Sequence, residues 1–214
     1  MANIQKLSFL AMIVITIVSF APILGFSIAG ISIIVGIAFF FINNALEKKT
    51  AAENGLDEKK IRANLKGKTI WFWIVLPLVM NVVCIGLAKF ILPEYIEHLF
   101  ARIVLVISFD KILLLVLQLA VLALGEEIAW RAFFQKQLNK AVSIVPTFII
   151  TSIIFALGHI AEGNSFVVIY DIFFIFVNSV IYGVIFYKTN NAWISATSHF
   201  VANLFSTMVI AFLQ

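Results

Sequence analysis

Charge is scarce in this sequence. Only 12% of its 214 residues are charged and 63% are apolar, against roughly 25% and 45–50% in an ordinary soluble domain. Fifteen basic and 11 acidic residues cannot solvate a globule that must also hide 22 phenylalanines, so a water-soluble fold is excluded and lipid is the expected solvent. Cysteine is nearly absent. Cys84 stands alone, which removes any disulfide framework, and its place in an apolar run predicts a small buried core residue. The sequence also lacks His-Glu-x-x-His, Gly-x-Ser-Gly, Gly-x-Gly-Asp and a glycine-rich phosphate loop, which sets those protease and nucleotide-binding chemistries aside.

What charge there is lies in one place. Lys48, Lys49, Lys59, Lys60, Arg62, Lys66 and Lys68 share the stretch 43–68 with Glu47, Glu53, Asp57 and Glu58. No aromatic residue within that stretch could stack a base, so nucleic acid is not an expected partner and the stretch reads as a basic cytoplasmic loop with a surface helix. Around it the chain divides into about seven apolar runs, six to eight in range: 7–26, 27–42, 70–92, 103–138, 143–160, 166–187 and 192–213. The separation of the first two rests on Pro22 and Gly25. An all-α, polytopic transmembrane bundle follows. The run 7–26 is long for a signal-peptide core and is read as a retained anchor. The placement of lysine and arginine predicts a multi-pass protein of the cell membrane with a cytoplasmic N-terminus and, for seven spans, an external C-terminus.

The fourth run reads as one helix from Lys111 to Lys140, about 45 Å long at 1.5 Å per residue, longer than the membrane is thick. Its end projects beyond the bilayer, and helical counting then brings Glu126, His159 and His199 to comparable depth.

Ionisable groups within spans are costly and default to functional candidates. Asp110, Lys111 and Asp171 fall near the external ends of their runs, where an interfacial place suffices, and His98 falls in an external loop and is expected to be solvated. The remainder form three groups. Glu127 and Arg131 are four residues apart on one helix face and can pair, which leaves Glu126, about 100° away, without a partner. Phe155 and His159 are one turn apart, with Gly158 allowing a close helix approach. His199 and Asn203 are one turn apart on the last run. One carboxylate, two imidazoles and an amide suit hydrolysis of a peptide by activated water: Glu126 and His159 would activate it while His199 and Asn203 stabilise the oxyanion. The same residues also suit a two-histidine, one-carboxylate site in which Glu126, His159 and His199 hold a divalent metal such as zinc. Both chemistries stand open at this point.

In this order, and each on an apolar run, Glu126-Glu127-x-x-x-Arg131, Phe155-x-x-x-His159 and His199-x-x-x-Asn203 resemble the three motifs of the CAAX-prenyl-protease and bacteriocin-processing (CPBP, or Abi) family of intramembrane proteases. The resemblance spans about 111–213. It implies an intramembrane endopeptidase in which Glu126 and His159 match the water-activating pair, His199 and Asn203 match the oxyanion pair, and Glu127 and Arg131 are supporting. Families of this type are commonly classed as metalloproteases, and a metal-free glutamate mechanism has also been argued. Ala132 stands where many relatives have glycine. The division expected is 1–102, N-terminal spans with the basic loop 43–68, and 103–214, the catalytic core. The implied partner is a membrane-associated peptide or protein substrate, with non-catalytic binding of a membrane peptide, as in bacteriocin self-immunity, as the alternative.

Overall fold

In lipid there is little hydrophobic drive between helices, so small residues and polar contacts must hold the bundle together. The computed structural model of this chain describes residues 5–20, 30–104 and 111–213; Asp110, Pro22 and Gly25 lie outside them. The described residues are helical: α1 (Lys6–Ser19), α2 (Ile31–Leu46), α3 (Ala51–Asn54), a 3-10 turn (Glu58–Lys60), α4 (Ile61–Asn64), α5 (Lys68–Ile91), α6 (Glu94–Val104), α7 (Ile112–Glu126), a π-helical segment (Glu127–Gln135), α8 (Lys136–Leu138), α9 (Ile144–Leu157), α10 (Ser165–Thr189) and α11 (Ala192–Leu213). Helix α7, the π segment and α8 form one unbroken rod, Ile112–Leu138, as the long fourth run predicts. This rod, α5, α10 and α11 are each long and apolar enough to cross a membrane. The apolar helices α1, α2 and α9 are shorter.

Glycines set the closest approaches. A Cβ at Gly36 of α2 would collide with the Cβ of Ala129 in the π segment, and one at Gly183 of α10 would lie 2.7 Å from Oε1 of Gln135. Gly158 faces Ser19 of α1, 3.4 Å from where its own Cβ would stand, the close approach expected there. Polar side chains add cross-links. Asn81 of α5 donates to the Ala202 carbonyl at 2.9 Å and to Ser206 at 2.8 Å, and it accepts from Asn178 at 2.6 Å, which ties α5, α10 and α11 together.

The stretch 43–68 is a docked strap rather than a free loop with one surface helix. Thr50 and Glu53 make a capping box, and Gly55, in the left-handed region at φ 101°, lets the chain turn over the ring of Phe186. The Gly55 carbonyl accepts from Ala192 N at 2.7 Å, the Asp57 carbonyl from Asn191 Nδ2 at 2.6 Å, and the Ala52 carbonyl from Asn190 Nδ2 at 3.2 Å. The same asparagine pair shapes the adjoining helices. Asn190 ends α10 in a left-handed conformation, and the side chain of Asn191 caps α11 by accepting from Trp193 N at 3.0 Å.

At the opposite end, α6 carries Glu94 and Glu97 on an amphipathic helix. Here two expectations are corrected. His98 is not solvated: its side chain is 9% exposed and its Nε2 lies 3.9 Å from Asp171 Oδ2. Asp171 is buried and accepts from Tyr95 Oη at 3.2 Å. A carboxylate this deep must find partners on neighbouring helices, and α6 supplies them. Cys84 is buried as expected and contacts Tyr95 Oη at 3.4 Å.

Candidate active site

The middle of the bundle holds the ionisable residues singled out by the sequence. Residues 127–135 wind as a π-helix, a form seen mostly as single turns and frequently at functional sites. At about 4.4 residues per turn, a spacing of four returns within about 30° of the same azimuth, so Glu127 and Arg131 still share a face. Their ion pair is present, with Arg131 Nε 3.5 Å from Glu127 Oε2 and both side chains fully buried. Arg131 also donates through Nη2 to Ser179 Oγ at 3.0 Å and stacks its guanidinium 5.2 Å from the centre of the Phe155 ring.

His199 of α11 comes between the two glutamates. Its Nδ1–H donates to Glu127 Oε1 at 3.1 Å, and its Nε2 faces Glu126 Oε2 at 3.5 Å. Glu126 is therefore not the partnerless carboxylate that the helical spacing predicts; its partner comes from another helix, which spacing within one helix cannot reveal. The two carboxylates differ in what they can reach. The Glu126 side chain keeps 16% of its surface exposed while that of Glu127 keeps none. Glu126 is thus the carboxylate that can meet a water molecule. Tyr182 of α10 covers the other side of the imidazole, its ring stacked on His199 at 4.3 Å between centroids and 19° between planes.

His159 is placed differently from expectation. It follows the end of α9 by two residues and lies in a turn. The helix stops at Leu157, with Gly158 as its cap. The imidazole folds back onto the helix: Nδ1–H donates to the Phe155 carbonyl at 2.8 Å, and the ring lies 4.6 Å from the Phe155 ring. That bond selects the tautomer with a lone pair on Nε2. Phe155 thus touches both His159 and Arg131 and links the turn to the buried ion pair. Asn203, one turn beyond His199, is half-buried and hydrogen-bonds to none of the other candidates among the described residues.

The arrangement assembles Glu126, Glu127, Arg131 and His199 directly, attaches His159 through Phe155, and leaves Asn203 one turn away. Ser179 and Tyr182 were not legible in the sequence. The only signal was that α10 carries polar groups at 178, 179 and 182 within an apolar run, and no spacing rule assigns these a partner. Carboxylate and imidazole are suitable zinc donors. Among the described residues, however, no three His, Cys, Asp or Glu side chains are grouped so that they could hold a metal ion. Glu126, His159 and His199 do not form a ligand set here.

Residues 107–205 match the family model for type II CAAX prenyl endopeptidases, Rce1-like. The match opens just before α7 and closes two residues after Asn203, so all three motifs fall within it. No curated protein and no solved structure matches the chain. Motifs and family match coincide on the same stretch, and over residues 107–205 this chain is similar to the Rce1-like family of type II CAAX prenyl endopeptidases.

Proposed function

We propose that the chain is an intramembrane endopeptidase that cleaves a membrane-associated peptide, prenylated or of bacteriocin type, with water activated by Glu126 and His159. The observation that carries this reading is the asymmetry of the two glutamates: one sealed against Arg131, the other facing His199 and keeping 16% of its side chain exposed. Glu126 takes a proton from water as its oxygen bonds to the scissile carbonyl carbon, and His159 Nε2 accepts a hydrogen bond from that water. The oxyanion is stabilised by N–H groups of His199 and Asn203. Glu126 then returns the proton to the amine nitrogen as the C–N bond breaks. Glu127 and Arg131 hold His199 in orientation and keep the cluster close to neutral in low dielectric. In this reading the end bearing the strap is cytoplasmic, since it carries the run of cations.

Full-length protein in lipid nanodiscs, offered a farnesylated peptide ending in cysteine, two aliphatic residues and a variable residue, should cleave it. Glu126→Gln should lower the rate by about 10²–10⁴-fold, the span of a general base. Cleavage retained in that variant would remove Glu126 from the chemistry, and failure of both proteins to cleave, with binding of the peptide kept, would favour the non-catalytic reading.

A further inference from the structure

The strap does more than cover helix ends. Three of its four acids are engaged: Glu47 pairs with Lys49 and Lys140, Glu53 closes the Thr50 capping box, and Asp57 caps the 3-10 turn and lies 3.9 Å from Lys60; the fourth, Glu58, is exposed and immediately precedes the cationic run. The cations that follow have no such partners. Arg62, Lys66 and Lys68 are exposed, and among the described residues none of them has an acidic partner. In the ten residues 59–68 there are five cations and no acid.

These cations stand on a fixed surface. Ile61 of α4 and Leu65, which caps it, pack against the cluster of Ile181, Tyr182, Ile185 and Ile194. Asn64 donates to the Thr189 carbonyl at 3.0 Å, and Trp71 Nε1 donates to the Leu65 carbonyl at 2.9 Å. Lys68 opens α5, a membrane-crossing helix, and Trp71 and Phe72 are exposed one turn into it. Exposed aromatic residues in the first turn of a span mark the headgroup level, so the cations lie at the depth of lipid phosphates. Because the backbone is already held, ordering it costs the bound state nothing further.

We propose that Arg62, Lys66 and Lys68 form a docking surface for the anionic phospholipid headgroups of the protein's own membrane. Phosphate oxygens accept from the guanidinium and ammonium groups, and the attraction adds about fivefold in affinity per cation near a charged bilayer surface. The contact reaches the candidate site by packing: Ile61 and Leu65 touch the cluster that contains Tyr182, and Tyr182 stacks on His199.

The test uses full-length protein in nanodiscs made from equal amounts of phosphatidylglycerol and phosphatidylcholine with the same acyl chains, followed by native mass spectrometry of the lipid retained. Phosphatidylglycerol should be retained several-fold over phosphatidylcholine. In R62Q/K66Q/K68Q the ratio should fall to about one, and in the charge-conserving R62K/K66R/K68R it should stay at the wild-type value. Single substitutions at 62, 66 and 68 give graded losses and keep the measurement open if the triple variant folds poorly. Inorganic phosphate added to the nanodiscs should not displace the lipid. Equal retention of both lipids by the wild type, an enrichment that survives in R62Q/K66Q/K68Q, or displacement by inorganic phosphate would each overturn the proposal. None of these readouts requires peptide cleavage, so the outcome is independent of the enzymatic reading.

Discussion

The bundle buries two carboxylate–imidazole groups, and they are built on different plans. At the end bearing α6, Asp171 meets one hydroxyl and one imidazole, Tyr95 Oη on its first oxygen and His98 Nε2 on its second. In the middle, two carboxylates converge on one imidazole, and the cation that balances them is itself incompletely bonded: Arg131 Nε and Nη1 and Glu127 Oε2 are buried without a hydrogen bond. Asp171 has each oxygen faced by a partner and one imidazole to one carboxylate, whereas the central group sets two carboxylates on one imidazole and needs a buried guanidinium to balance them. Buried polar groups left short of partners are costly, so a fold retains them where another requirement outweighs that cost. The difference separates a latch from a site, although both consist of the same side-chain chemistry.

Substitutions can break that distinction or make it sharper. The largest effect is expected at Arg131. Arg131→Met should destabilise the protein by about 3–5 kcal/mol, because it leaves Glu127 as an uncompensated buried charge, while the double variant E127Q/R131M should regain much of the loss; thermal unfolding in detergent reads both. At Tyr182, replacement by leucine should lower kcat about tenfold with KM nearly unchanged, since an aromatic stack contributes about 0.5–1.5 kcal/mol to holding its partner, and Tyr182→Phe should restore the rate. For the latch, Asp171→Asn should cost about 1–2 kcal/mol in stability and leave cleavage unchanged; a large fall in kcat there would erase the contrast between the two groups.

The smallest effect lies outside both, in the strap. Partial burial would raise the Glu47 carboxyl, but hydrogen bonds and charge from Lys140 and Lys49 outweigh it and hold the group below its ordinary value of 4.5. Because the carboxyl is more acidic in the folded chain than in the unfolded one, its contribution is complete well above pH 4.5 and is lost as the pH falls through the lowered folded value. Glu47→Gln should therefore cost less than about 1 kcal/mol at neutral pH, as for other ion pairs near a protein surface, and nothing measurable in strong acid.

Local features were legible in the sequence and distant pairings were not. The Glu127–Arg131 pair follows from a spacing of four on one helix, and the long rod follows from an uninterrupted apolar run. The Phe155–His159 contact follows from the same one-turn logic, although the helix ends before the histidine, because a glycine after a short apolar run can cap a helix as readily as it can permit close packing. The His98–Asp171 approach joins residues 73 positions apart, and the place of Glu126 beside His199 depends on how α11 is rotated against the rod, which no single-helix pattern encodes. The strap was misread for the opposite reason. Its composition favours helix, but Gly55 and the capping of Asp57 break it into short turns, and carbonyls of Ala52, Gly55 and Asp57 bond to residues 190–192, where α10 gives way to α11. The π winding at 127–135 has no signature that we can identify in its residues.

The contact between Gly36 and Ala129 has a consequence for the protein's birth. Roughly 90 residues separate the two positions, which at ribosomal speed is about 5 to 20 seconds of synthesis. During that interval α2 is already made while the surface it must press against does not yet exist. A helix with a neighbour that arrives late is exposed to substitute neighbours, and at Gly36 itself there is no side chain to hold one. The first two helices, joined by the Ser8–Asn43 hydrogen bond, therefore wait in the bilayer for the motif-bearing rod, whose arrival gives the Gly36 face its seat.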